Sequence, residues 1–138
     1  MEPNQSGWAN AATTIGRLIF AGVFLMALTF KVMMPAMTAT EIATAGFPMP
    51  HLLVWAAALF ELALAVCLLT GAYFTEACIA AIAYVLFLAF SFHGPSHWSA
   101  NQDEFGFFVD HFTFTAGLLF AAANGPGRWA VRTGFLRR

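Results

Sequence analysis

The sequence predicts an all-α membrane protein: four transmembrane helices in one antiparallel bundle, with N and C termini both cytoplasmic. Three observations carry this. Hydrophobic residues make up 60% of the chain and charged residues 9%. A soluble domain has about a quarter of its residues charged, so this chain lacks the polar groups to cover a water-facing surface. Four apolar stretches follow one another along it, each near the roughly 20 residues that cross ~30 Å of hydrocarbon. Of the six basic residues, four (Arg128, Arg132, Arg137 and Arg138) lie in the tail after Asn124, and such an excess marks the cytoplasmic side.

The first span is read over 15–34. The stretch before it is polar, holds Glu2 and has no Lys or Arg. It therefore lacks the basic segment of a signal peptide, and the apolar run reads as a retained span. A long connection follows from Pro35 to His51, punctuated by Pro35, Gly46, Pro48 and Pro50. The second span is read over 52–70 and the third over 73–92. The turn at Gly71 between them is tight, which makes the two antiparallel neighbours. The polar loop from His93 to Glu104 precedes a fourth span over 105–123, ended by Gly125, Pro126 and Gly127. Backbone groups find no water inside the bilayer, so each span must be helical. Tyr73 and Trp98 fall at predicted boundaries, where interfacial aromatics belong. No internal repeat or domain boundary interrupts residues 1–138, which read as a single membrane domain.

With the tail inside, the longer loops face outward, and they carry Glu41, Asp103 and Glu104 without Lys or Arg. The net charge of −1 excludes a strongly basic nucleic-acid binder. Membrane lipid is the partner that composition implies.

The informative residues are the polar ones inside the spans. Glu61 sits near the middle of the second, where a carboxylate costs roughly 2.5–3.5 kcal/mol and needs a partner, a proton or a function. Ala57, Ala58 and Ala65 lie one turn to either side of it, and such small residues let a neighbouring helix approach. Glu61 is therefore expected to face inward. Arg17, Ala21, Phe24, Leu28 and Lys31 share one face of the first span. On the fourth, Asp110, Thr113, Gly117, Ala121 and Asn124 form a stripe expected to face the bundle, with His111 one position round.

A rise of ~1.5 Å per residue puts Lys31 a few ångströms below the outer face, Asp110 and His111 roughly 8–9 Å below it, and Glu61 roughly 14 Å below. Lys31, Glu61, Asp110, His111 and His93 thus form an expected outer-half cluster, in which Lys31 reaches Asp110 or, with tilt, Glu61. Arg17 lies near the inner face, where its side chain is expected to snorkel to the headgroups. His93 and His97 have metal-pair spacing, but Gly94 and Pro95 between them oppose a shared helix face, so they are weak metal candidates. Met33, Met34 and Met37 read as packing. Cys67 and Cys78 lie symmetrically about the tight turn and read as packing rather than a redox pair.

The pieces GRLIFAGVFLMALTFK (Gly16–Lys31), GFPMP (Gly46–Pro50), LFELALAVCLLTG (Leu59–Gly71), SFH (Ser91–His93) and NGPGRW (Asn124–Trp129) stand in an order and spacing that resemble the DoxX family of small four-helix bacterial membrane proteins. Arg17, Lys31, Glu61 and His93 match polar positions typical of that family. Leu28, Glu76 and the pair Asp110-His111 depart from its usual Gly, Arg and Lys-Asn.

The resemblance implies a multi-pass protein of the bacterial cytoplasmic (inner) membrane. It also implies association with quinone-linked oxidoreductases or redox-stress complexes. The first functional reading is a membrane subunit of such a complex, with Glu61, Asp110 and His111 handling protons or contacting a ligand and Lys31, His93 and Arg17 as binding or ion-pair residues. No cofactor motif is evident, and a quinone is the cofactor such a bundle would admit. The second reading is a non-catalytic assembly subunit, with other subunits or further copies of the chain as partners. The third is a small proton-coupled carrier.

Overall fold

A computed structural model describes residues 6–136. Glu2, used above in reading the first span, and Arg137 and Arg138, used for topology, lie outside the described residues. The chain forms helices α1 (Gly7–Met33), α2 (Pro35–Thr44), α3 (Pro50–Thr70) and α4 (Phe74–His93), a single 3-10 turn (Pro95–His97), and α5 (Asp103–Asn124). Among the described residues there is no strand. Four of the helices, α1, α3, α4 and α5, are long and apolar enough to cross a membrane. Three match the sequence-read spans within two residues at each end. The fourth, α1, starts eight residues earlier than expected, because the polar segment before Ile15 is itself helical and packs on the tail: the buried Asn10 accepts from the Arg128 N–H.

The connection after α1 is not an extended loop. Met34 leaves the helical region (φ −132°, ψ 58°), and Pro35 starts α2 at once. Proline lacks the N–H that a continuing helix needs, yet its fixed φ suits the first position of a new one. Punctuation that ends one helix here begins the next. Ala39 and Ile42 of α2 are buried with Val54 of α3, and Phe47, Leu53 and Phe92 close around them.

The bundle has two ends. The loop end carries α2 and the 3-10 turn, while the turn end carries the Gly71–Tyr73 connection, the start of α1 and the tail. The main core joins Ala21 and Phe24 of α1, Leu64, Ala65 and Leu68 of α3, Ala77, Cys78, Ala81 and Val85 of α4, and Leu118 of α5. Half of these are Ala or Cys, which lets backbones approach closely where burial of apolar surface alone gives no advantage over lipid. The tight turn makes α3 and α4 neighbours, as expected, but α3 packs most extensively on α1 and α4 on α5.

The tail closes the turn end through main-chain bonds. The Val131 N–H donates to the Thr70 carbonyl (2.8 Å), and the Tyr73 N–H donates to the Thr133 carbonyl (2.7 Å). Glu76, in the first turn of α4, accepts from the Phe135 and Leu136 N–H groups. Gly71 makes the crossing feasible: its φ is +85°, and a Cβ there would lie 2.5 Å from the Ala130 Cβ.

Arg17 corrects the sequence expectation. It is 4% exposed and does not snorkel. Nor does it pair with an acid among the described residues. Its guanidinium donates to the carbonyls of Leu68 (3.2 Å), Leu69 and Trp129 (2.8 Å). Two of these are among the last carbonyls of α3, which have no partner within their own helix. A cation at a helix C-terminus is also favoured by the helix dipole. That combination draws the side chain inward rather than out to headgroups.

G71A is expected to lower thermal stability in detergent by the equivalent of ~1–3 kcal/mol. G22A, at a helical glycine facing open space, should leave stability unchanged or raise it. R17A should release the tail, seen as faster hydrogen exchange at the Val131 and Tyr73 amides and earlier proteolysis after Asn124.

Candidate functional site

Glu61 is the most buried acid among the described residues, at 1% exposed. Val54, Ala58, Leu64, Ala65 and Leu68 are buried on the same side of α3, so the helix period itself turns Glu61 inward. Lys31 donates to Glu61 Oε1 at 2.8 Å. The Tyr84 hydroxyl donates to the same oxygen at 2.7 Å. One carboxylate oxygen thus joins α1, α3 and α4. The other, Oε2, is buried and has no hydrogen-bond partner.

Of the two acids open to Lys31 on sequence grounds, the fold selects Glu61. The expected depth difference between them disappears for a topological reason. Beyond Glu61, α3 continues eleven residues to Pro50, ~16 Å at helical rise, while α1 ends two residues past Lys31. Part of the offset is filled by α2, so Lys31 lies deeper than its distance from Pro35 suggests.

Tyr84 is the site residue that the sequence reading missed. A signal existed, since positions 61 and 84 lie almost symmetrically, eleven and twelve residues from Ala72 at the centre of the Gly71–Tyr73 turn. In an antiparallel hairpin that symmetry places them at one depth. A tyrosine within an apolar helix also needs a partner for its hydroxyl.

Asp110 does not join this cluster. It is exposed on α5, as is Thr113, whereas Thr115 and Leu118 are buried. The inward face is rotated from the small-residue stripe because α5 packs on α4 through bulkier side chains. The stripe borders a groove of about 450 Å³ between α1 and α5, lined by Gly16, Arg17, Phe20, Gly117, Ala121 and Asn124 among others.

His111 and His93 form a second polar group at the loop end. His93 Nδ1 lies 2.6 Å from Glu104 Oε2, and the Trp98 indole N–H donates to the His93 carbonyl (2.9 Å). The His93 and His111 rings are 5.1 Å apart. His97 is exposed on the 3-10 turn. Among the described residues no three His, Cys, Asp or Glu side chains form a group suited to a metal ion. Cys67 and Cys78 are both free thiols.

The arrangement at Glu61 is chemically asymmetric. Oε1 receives an ammonium and a phenol, both strengthened by the carboxylate charge. Oε2, without a donor, carries a desolvation cost of about 1–3 kcal/mol, relieved by a proton or by the hydroxyl of a ligand.

The family model described as DoxX matches residues 12–94. The match runs from the second turn of α1 to the end of α4 and includes Arg17, Lys31, Glu61, Tyr84 and His93; α5 lies beyond it. No curated protein and no solved structure matches the chain.

K31M should destabilise the protein by about 3–5 kcal/mol, because it leaves a buried carboxylate unpaired. The double variant K31M/E61M should recover more than half of that loss. A thermal or denaturant double-mutant cycle in detergent measures both, and strictly additive losses would contradict a coupled pair.

Proposed function

This chain belongs to the DoxX family, and on that premise we propose that it serves as a small membrane subunit of a quinone-linked oxidoreductase complex. Its residence is the bacterial cytoplasmic membrane. Arg128 and Arg132 at the turn end, against Glu41, Asp103 and Glu104 at the loop end, support a turn end facing the cytoplasm.

The observation that carries the reading is Glu61. A nearly fully buried carboxylate has one oxygen held by Lys31 and Tyr84 and the other without a donor. Oε2 is the acceptor for a hydroxyl proton of a quinol whose head reaches this level of the bundle. General-base chemistry requires such a group within hydrogen-bond reach of the proton it takes. Lys31 and Tyr84 keep the carboxylate oriented. The two electrons and the second hydroxyl proton released by such a quinol pass to a partner subunit. Lipid and further subunits, or further copies of the chain, are its partners.

The assembly reading retains one specific support. The same three side chains tie α1, α3 and α4 together, which a purely structural subunit also needs.

Turnover per folded molecule separates the two. In native membranes, E61Q should abolish quinone-dependent turnover while the complex still assembles, and D110N, on the exposed face of α5, should leave turnover near wild type. Unchanged turnover in E61Q, with loss confined to stability or partner association, would assign the cluster to assembly.

A further inference from the structure

We propose that His93 and His111 form an open two-histidine site for a divalent transition-metal ion of the zinc or copper(II) type, at the loop end of the bundle. Each ring already has one nitrogen committed. His111 Nδ1 lies 2.6 Å from the Phe107 carbonyl. A carbonyl only accepts, so this nitrogen carries the proton and the Nε2 lone pair is free. His93 Nδ1 lies 2.6 Å from Glu104 Oε2, and a carboxylate likewise draws the proton to Nδ1. Both rings are thus set in the tautomer that leaves the Nε2 lone pair available to a metal. Carboxylate and carbonyl partners on the far nitrogen are the outer shell that metal-ligating histidines use.

The spacing fits as well. A metal about 2.0–2.1 Å from each Nε2, at a tetrahedral angle, puts the two ring centres about 5 Å apart. The observed separation is 5.1 Å, with the rings tilted by 43°. Phe107 stands 5.3 Å from the His93 ring and gives the site an apolar wall. The His93 side chain is 26% exposed, so an ion can enter from the loop end. Imidazole nitrogens select zinc, copper and nickel over magnesium or calcium. Two protein ligands leave positions for water or an exogenous donor. Spacing along the chain pointed to His93 with His97; the fold sets His93 against His111, from the neighbouring helix.

The test uses the full chain in detergent with any affinity tag removed. Zinc is titrated by calorimetry, and copper(II) is followed by electron paramagnetic resonance. The expected result is one ion per chain and a two-nitrogen hyperfine pattern. E104Q should weaken zinc binding by roughly 10–100-fold, since the outer-shell carboxylate orients its ligand. H111N and H93N should weaken it at least as much, whereas H97A and H51A, at the other two histidines, should bind as wild type. Helical circular dichroism and melting accompany each variant. Wild-type affinity in a folded H111N, loss of binding in H97A, or no binding of either ion would overturn the proposal. Should H111N fail to fold, the wild-type copper spectrum decides: fewer than two nitrogens overturns the site, and two support it.

Discussion

The constraint on which the bundle depends is the burial of one carboxylate. Glu61 is almost fully buried inside the bundle, out of reach of solvent, so its neighbours must solvate it. Lys31 comes from the end of α1 and Tyr84 from the middle of α4, and both donate to the same oxygen. This sets the relative heights of three helices that would otherwise slide on apolar surfaces with little preference. A Lys–Glu pair in such surroundings specifies an arrangement more than it adds stability.

The turn end meets a different demand, the pairing of main-chain groups. Helix ends leave carbonyls and amides without partners, and burying them unpaired is costly. Arg17 answers for the last carbonyls of α3, Glu76 for amides of the tail, and the tail pairs its own backbone with Thr70 and Tyr73. Charged side chains at this end therefore work as hydrogen-bond donors and acceptors for backbone. Glu76, a departure from the usual family residue, has a defined structural task. Gly71 allows the contact because any side chain there would meet Ala130.

The loop end is aromatic and half-open. His93 packs against Phe107 and His111, with Trp98 and Glu104 holding its backbone and its ring. The polar residues expected to form one outer-half cluster thus separate into two groups. One is closed and built around Glu61. The other is accessible and built around His93. Asp110 belongs to neither, because the rotation of α5 is set by packing on α4.

By itself the sequence determined the membrane class, the four spans, the inward face of α3 and the family. All of these follow from local quantities: apolar length, helical period, punctuation and the order of short motifs. Tertiary structure alone decided which acid Lys31 meets, that Arg17 turns inward to carbonyls, that Tyr84 completes the Glu61 site, and that Asp110 faces away. The physical reason is common to all four. Helix register and rotation in an apolar medium are set by side-chain packing and by pairing of polar groups between segments far apart in the chain, and neither leaves a periodic trace in one helix. The Pro35 segment is the local exception, since a proline there ends one helix and begins another, and only the packing of Ala39 and Ile42 on Val54 shows which reading the chain adopts.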